Sequence, residues 1–361
     1  LLVLASVLLA SAFAATPGQS LQKLGFVTSP GPLRSRKGSN VASLSRSSSP
    51  ILAQRKGSVA VGDLGKNINM QNSAGLKIFT TKYLPSGTPK GIIFIIHGAG
   101  EYCERYGTHV AEHLNSKGFA VFTHDHQGHG RSEGPRMHVA DFQDYVNDTI
   151  QYMKETLESN PEFATLPRFV WGHSMGGLIS CHLMLKAAEA QLEFTGLVVT
   201  GPALMLDPST DNAVNRVLAR TLSMLMPRFA IPWEKGPVAK FPLTHVEEIQ
   251  KAYMEDPLVY HGCLRVGWSY QFMISVDAAV ARAGEIKLPV LGVHGAEDGI
   301  CIPEGTEKWV GRIASTDKKF LSIPDSYHEM HNETDEIRKQ VLEEISGWCL
   351  ARLTPPKPVD A

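Results

Sequence analysis

The chain has 361 residues, a formal net charge of −1 and 43% hydrophobic residues. This is a globular composition, long enough for one large α/β domain or two smaller ones. The near-neutral charge gives no electrostatic basis for binding nucleic acid. The five cysteines show neither a metal-ligand spacing nor a disulfide pattern, so we expect most of them to be buried thiols.

Residues 1–65 are expected to form a targeting leader that takes no part in the fold. The apolar run at 1–10 ends in small residues around Ala12 and Ala14, which is typical of a signal peptide and too short to span a membrane. Residues 16–61 are rich in Ser, Lys and Arg and contain no Asp or Glu, as in transit peptides. We interpret the two parts together as a plastid leader. The alternative is a secretory signal with a disordered linker, for secretion or the endomembrane lumen.

Residues 66–353 alternate short apolar strands with helical patterns, which predicts an α/β fold: one mostly parallel sheet with helices on both faces. The run at 91–97 is apolar throughout, as in a strand that is buried on both sides. Strands are predicted at 76–83 (an outer strand), 91–97, 119–123, 169–171, 196–200, 289–294 and 319–323, and helices at about 106–116, 139–158 and 178–188.

The pattern Gly-x-Ser-x-Gly spans Gly172 to Gly176, between a predicted strand and a predicted helix. In this context it is the signature of a nucleophile elbow, a tight turn that exposes the hydroxyl of the central serine, Ser174. A Cβ at either glycine is expected to collide with neighbouring backbone. The helix N-terminus beneath the serine favours a developing negative charge.

Residues 202–284 break the alternation of strands and helices, and we interpret them as a cap inserted over the site. The segment 214–226 is apolar and helix-like. We favour core packing for its apolar stripe, while a cap that opens towards lipid would instead expose it as a membrane-facing patch. Residues 354–361 are expected to be a tail.

A serine hydroxyl becomes nucleophilic when a base takes its proton and a carboxylate orients that base. On this fold the order along the chain is Ser, acid, His, each after a strand. Asp298 and His328 follow two predicted strands in that order, and they are the predicted acid and base for Ser174. Glu297 is the second choice for the acid and Asp325 a weaker one.

The oxyanion formed on attack needs two N–H donors. One is expected from Met175, the residue after the nucleophile, and the other from Ala99 in the small-residue loop 97–101. The histidine-rich loop 124–129 is interpreted as a turn that shapes the floor of the site rather than as a metal centre, and no metal or cofactor is predicted.

Taken together, the motifs resemble those of monoacylglycerol lipases of the α/β-hydrolase superfamily, from about residue 76 to about residue 350. The resemblance implies an α/β-hydrolase fold with a helical cap, an apolar acyl tunnel, no cofactor and a lipid ester as substrate. It implies the triad Ser174, Asp298 and His328 with Ala99 and Met175 as the oxyanion hole. It rests on 97–101, 124–134, 172–177, 256–258 and the spacing from Asp298 to His328, and by position it places Glu101, Arg105, Tyr253 and His331 around the glycerol end of the substrate.

The resemblance also places Cys301 at a cysteine position of the family, three residues after Asp298. A bulky thiol reagent at Cys301 is therefore expected to slow turnover.

Three functions are to be considered for a chain with these motifs. The first is hydrolysis of monoacylglycerol through an acyl-enzyme. The second uses the same triad on a lysophospholipid or passes the acyl group to another alcohol. The third, a non-catalytic ligand-binding member, is disfavoured because no triad residue is missing, and an aspartate-nucleophile enzyme is disfavoured because the elbow carries serine.

Overall fold

A seven-stranded sheet organises the part of the chain that the structure, a computed structural model, describes: residues 70–209, 211–232 and 234–353. The strands are β1 Met70–Gln71, β2 Lys77–Ile78, β3 Thr80–Tyr83, β4 Gly91–Ile96, β5 Phe119–His124, β6 Arg168–His173, β7 Gly196–Thr200, β8 Val290–Gly295 and β9 Lys318–Ile323. The order across the main sheet is β3-β5-β4-β6-β7-β8-β9, with β3 antiparallel to β5 and all other neighbours parallel. The predicted α/β-hydrolase architecture is confirmed, while the predicted leader and tail lie outside the described residues.

The central strands are buried along their whole length, which explains their continuous apolar sequences. Every residue of β4, β5, β7 and β8 is buried. Helices cover both faces of the sheet, so neither face of a strand needs polar side chains. The helices are α1 Glu112–Ser116, α2 Gln143–Ser159, α3 Met175–Lys186, α4 Ala213–Leu225, α5 Glu247–Glu255, α6 Val266–Ala281, α7 Pro303–Arg312 and α8 Asp335–Leu350.

Two predicted elements are divided into shorter elements in the structure. The single outer strand predicted at 76–83 is wrong, because Lys77–Ile78 pairs with β1 and only Thr80–Tyr83 joins the main sheet. The helix predicted at 106–116 begins earlier, with a 3₁₀ turn at Cys103–Tyr106 and a π-helical turn at Gly107–Ala111 before α1. Such π-helical turns occur frequently at functional sites.

The cap inserted between β7 and β8 consists mainly of α4, α5 and α6. The interpretation of α4 as core packing is wrong for four of its large side chains, because α4 meets α6 through its other face, around Asn215 and Ala219. None of the helices within the described ranges is long and apolar enough to cross a bilayer. The large apolar side chains of α4 that are exposed are Val214 at 65%, Val217 at 67%, Met224 at 66% and Leu225 at 73%.

The sheet brings the predicted functional residues to one edge. Ser174 follows β6, Asp298 follows β8 and His328 follows β9, so all three lie at the carboxyl ends of parallel strands of one sheet. This is the edge at which open α/β sheets bind ligands. The thiols of Cys103, Cys181, Cys301 and Cys349 are buried and free, as expected, and Cys263 is half-buried and free.

Candidate active site

Ser174 occupies a strained backbone turn between β6 and α3. Its φ is 53° and its ψ is −120°, a conformation that costs a residue with a side chain about 1–3 kcal/mol. A Cβ on Gly176 would collide with the carbonyl oxygens of Ile96 and His97, and one on Gly172 with the backbone of Gly176. Both glycines are therefore required by the tightness of the turn, as predicted.

A cavity of about 380 Å³ opens above Ser174 beneath the cap. One end is polar, where Ser174, His328, Glu101 and Glu329 reach its surface. The rest of its wall is largely apolar and comes mostly from the cap. The large apolar side chains that line it are Met137, Val238, Leu243, Met254, Leu264, Trp268 and Ile300.

His328 and Asp298 form the hydrogen bond that base and acid require. His328 Nδ1 lies 2.7 Å from Asp298 Oδ2, and both side chains are buried. The other carboxylate oxygen, Oδ1, accepts the backbone N–H groups of Ile300 at 2.7 Å and Cys301 at 2.9 Å. The two weaker candidate acids, Glu297 and Asp325, are exposed.

Electrostatics favours a charged carboxylate and a more basic imidazole. Burial alone would raise the pKa of Asp298, but the His328 charge and the hydrogen bonds from His294 and His328 hold it well below its usual range. Burial works to lower the pKa of His328, and the negative charge of Asp298 with its hydrogen bond raises it above 6.5. Asp298 therefore accepts the Nδ1 proton, which leaves Nε2 of His328 to act as the base.

Ser174 lies in the same cavity wall as His328, next to the Cys301 thiol. The hydrogen bonds that the described residues form do not include one between Ser174 and His328. Catalytic hydrogen bonds are often long without substrate and close in the complex, so this geometry is compatible with a nucleophile that turns to the base when an ester enters.

Ala99 and Met175, the predicted oxyanion-hole donors, lie close to Ser174. Met175 is the first residue of α3, so its N–H has no acceptor within the helix. Ala99 lines the cavity. The backbone of Gly98, the residue before Ala99, is held by two contacts. Its N–H donates to Glu101 at 2.6 Å, and its carbonyl oxygen lies 2.7 Å from His97 Nδ1.

The four residues predicted around the glycerol end divide into two pairs. Glu101 and Tyr253 line the cavity, whereas Arg105 and His331 lie behind its wall. The Arg105 guanidinium is ion-paired with Glu101 and lies 4.6 Å from the Tyr253 ring centre, and His331 stacks on Tyr106 at 5.0 Å. Arg105 and His331 are buried here, and their contact with the substrate alcohol stays a prediction.

Two residues of the site were missed at the sequence level. His294 lies at the end of β8, and its Nε2 is 2.9 Å from the same Asp298 oxygen that holds His328. Glu329 follows His328 directly and binds Arg105. His294 lies within a predicted strand, and Glu329 is one of several acidic residues in its loop, so neither carried a pattern of its own.

The histidine-rich loop lies below the site and is tied to the strand that leads into it. His126 N–H donates to His97 Nε2 at 3.0 Å, and His126 Nε2 lies 3.1 Å from the His97 carbonyl oxygen. His129 Nδ1 lies 3.1 Å from the Gln127 carbonyl oxygen. Burial lowers the pKa of all three imidazoles, so they are neutral and act as hydrogen-bonding spacers.

We expect Cys301 to react slowly with thiol reagents and to block turnover once modified. Burial and then the charge of Asp298 raise the pKa of the thiol, so the reactive thiolate is scarce. Because the thiol lies next to Ser174, a bulky adduct on Cys301 would take the space of the nucleophile. Mass-spectrometric mapping of N-ethylmaleimide adducts against time, with activity followed in parallel, tests this.

The half-buried Cys263 serves as the control. It should be labelled first, with little loss of activity, and a Cys263→Ser variant should lose activity only as Cys301 is labelled. Full activity after complete labelling of Cys301 would contradict the expectation.

Known proteins match this chain over the whole of the site. The family profile described as serine aminopeptidase, S33, matches residues 87–335. The monoglyceride lipase of Rattus norvegicus is 33% identical over 285 residues, which is 79% of this chain and 90% of that protein. The monoacylglycerol lipase of Mycolicibacterium smegmatis is 33% identical over 77% of this chain and 95% of its own length. The solved structure of Paleococcus ferrophilus monoacylglycerol lipase superposes with a TM-score of 0.64 at 27% identity, covering 76% of this chain and 99% of that one.

Proposed function

Since the chain belongs to the monoglyceride lipase family of α/β-hydrolases, we propose that it is a serine esterase that cleaves monoacylglycerol to a fatty acid and glycerol. The observation that carries this proposal is the Asp298–His328 hydrogen bond at the floor of the cavity that holds Ser174 on its strained turn. A serine, a base and an oriented acid around one cleft are the parts that acyl transfer needs.

The reaction proceeds in two halves. His328 Nε2 takes the Ser174 proton while Oγ attacks the ester carbonyl, and the N–H groups of Ala99 and Met175 receive the negative charge on the carbonyl oxygen. His328 then gives the proton to the departing glycerol oxygen, which leaves an acyl-serine. Water, deprotonated by the same imidazole, releases the fatty acid and restores the serine.

The two ends of the cavity match the two ends of such a substrate. The apolar wall contributed by the cap suits an acyl chain, since most of a lipid's binding energy comes from apolar surface removed from water. Glu101 and Tyr253 at the polar end offer a carboxylate and a phenol to glycerol hydroxyls. This complementarity supports a substrate with one acyl chain and a small polar alcohol.

A substrate panel tests the proposal. Protein lacking residues 1–65 would be assayed with monoacyl-, diacyl- and triacylglycerols of one chain length and with the matching lysophosphatidylcholine. We expect the highest kcat/KM with monoacylglycerol and equal yields of glycerol and fatty acid. A higher kcat/KM with lysophosphatidylcholine, or transfer of the acyl group to added alcohol in place of hydrolysis, would contradict it.

The exposed face of α4 supports contact with a lipid surface. Val217 and Leu225 are 67% and 73% exposed, and they belong to α4, a helix of the cap. A contiguous apolar patch of this kind is favourable when a membrane covers it. Such contact would let a monoacylglycerol pass from the bilayer into the cavity.

Replacing both Val217 and Leu225 by serine is expected to lower binding to phosphatidylcholine vesicles roughly tenfold or more, because each apolar side chain contributes about 1 kcal/mol or more at an interface. Hydrolysis of a water-soluble p-nitrophenyl ester should be unchanged. Sedimentation with vesicles measures the first and absorbance the second. Ile274→Ser, which removes an aliphatic side chain 37% exposed on α6, is the matched control. Equal vesicle binding of wild type and double variant would exclude this contact surface.

A further inference from the structure

Glu329 links the loop of the catalytic base to a buried arginine. It follows His328 directly and is 2% exposed. Arg105 donates to both of its carboxylate oxygens, from Nη1 to Oε1 at 2.6 Å and from Nη2 to Oε2 at 2.7 Å. Asn332 donates a third hydrogen bond at 2.8 Å. A bidentate, charge-assisted pair of this kind fixes both distance and orientation.

The same arginine continues the connection to the loop of the oxyanion hole. Arg105 Nη1 is also ion-paired with Glu101. Glu101 Oε1 in turn accepts the Gly98 N–H at 2.6 Å and the Tyr106 hydroxyl at 2.8 Å. Gly98 immediately precedes Ala99, so an unbroken series of hydrogen bonds runs from the backbone beside His328 to the backbone beside the predicted oxyanion donor.

We propose that Glu329 is a positioning residue of the esterase reaction, which through Arg105 and Glu101 holds the oxyanion-hole loop in register with the catalytic base. The inference rests on the proposed function, since it assigns Glu329 a part in the reaction of Ser174 and His328. Glu329 does this without taking a proton or attacking the ester. A displacement of about 1 Å between donor and base is enough to cost an enzyme roughly a hundredfold in rate.

The pKa values of Glu101 and Glu329 show how the Arg105 guanidinium acts on the two carboxylates that share it. Burial alone would raise the pKa of Glu329, but Arg105 and its hydrogen bonds lower it to about 2. Burial and then the nearby charge of Glu329 raise the pKa of Glu101, against the effect of Arg105. Both carboxylates raise the pKa of His328, and Glu329 has the larger effect of the two.

The titration of His328 depends on groups from several elements. Three carboxylates favour the protonated imidazole: Asp298 after β8, Glu101 after β4 and Glu329 on the same loop as His328. His173 at the end of β6 has its ring centre 4.7 Å from that of His328, and burial keeps it neutral. The remaining titratable groups around these residues are Arg105, His294, Cys301 and His331.

Glu329→Gln is a suitable test because Arg105 keeps Glu101 as a partner. Removing one member of an isolated buried ion pair leaves an uncompensated charge and destabilises the fold strongly, whereas here a neutral pair remains. We expect kcat for monoacylglycerol to fall about tenfold to a hundredfold with little change in KM. The acid limb of the kcat/KM profile should move to lower pH, since His328 loses a neighbouring negative charge and stays neutral to lower pH.

Glu329→Asp distinguishes the effect of side-chain position from the effect of charge. It also provides the test if Glu329→Gln folds poorly. Aspartate keeps the charge but is one methylene too short to reach Arg105 in the same geometry. We expect a similar loss of kcat with the acid limb close to that of wild type. Glu333→Gln is the matched control: it changes another buried carboxylate of this loop, one that accepts the Tyr327 N–H at 2.9 Å and binds His245, so it should lower stability without moving the acid limb.

Unchanged kcat in Glu329→Gln would overturn the inference, and so would a loss of rate with an unmoved acid limb. The profiles should be recorded with both monoacylglycerol and a p-nitrophenyl ester. If wild type hydrolyses only the p-nitrophenyl ester, the proposed substrate is wrong while the role of Glu329 is still measured. If wild type cleaves monoacylglycerol and Glu329→Gln matches it, only the inference fails.

Discussion

Ser174→Ala is expected to lower kcat for ester hydrolysis by about 10⁵- to 10⁶-fold while the protein remains folded. Alanine removes the only atom that can form the acyl-enzyme, and water in its place would have to attack without a covalent intermediate. The oxyanion hole and the cavity stay intact, so a residual rate above the uncatalysed one should remain. Single-turnover assays with a large amount of enzyme would measure it.

Ser174→Ala should leave the backbone strain at the elbow unchanged, because alanine at φ 53° still carries a Cβ. Ser180→Ala is the matched control: this buried serine of α3 donates to the Gly176 carbonyl at 2.7 Å and its loss should cost about 1 kcal/mol of stability with little effect on rate. Hydrolysis by Ser174→Ala within tenfold of wild type would mean that another group is the nucleophile.

Asp298→Asn is expected to lower kcat about 10⁴-fold with little change in KM. The backbone N–H groups of Ile300 and Cys301 both point at Oδ1 and require an oxygen there. The amide nitrogen of asparagine would therefore take the place of Oδ2 and donate to His328. A donor at this position stabilises the tautomer with its proton on Nε2, which cannot accept the proton of Ser174.

The loss of kcat in Asp298→Asn should be larger than in a site with one imidazole. The reason is that the same Asp298 oxygen, Oδ2, is hydrogen bonded to both His294 and His328. The pH–rate profile and the imidazole proton resonances of the variant would report the tautomer. Glu297→Gln, which changes the adjacent exposed carboxylate, is the control and should behave as wild type. A similar loss in both variants would contradict the assignment of Asp298 as the acid.

The features that could be predicted from the sequence are those with a local pattern. The β4 run at 91–96 is apolar throughout because both faces are covered, and its bounds were predicted within one residue. Gly172 and Gly176 are dictated by the collision of a Cβ with backbone, which depends on the turn alone. The order of Ser174, Asp298 and His328 after successive strands follows from the connectivity of the sheet.

What could not be predicted depends on contacts between distant segments. Whether the apolar side of α4 is covered is decided by which face meets α6, and the sequence of α4 alone fits both outcomes. Arg105 lies behind the cavity wall because Glu329, 224 residues further along, holds it there. The helices α7 and α8 carry no active-site motif, and the sequence analysis did not assign them.

The most direct test of the account is to map where a fluorophosphonate attaches to the wild-type protein. This reagent mimics an ester and becomes trapped on an activated serine. We predict one adduct, on Ser174, with loss of monoacylglycerol hydrolysis in proportion to labelling, and labelling much slower in Asp298→Asn. An adduct on another residue, or full activity after stoichiometric labelling of Ser174, would contradict it.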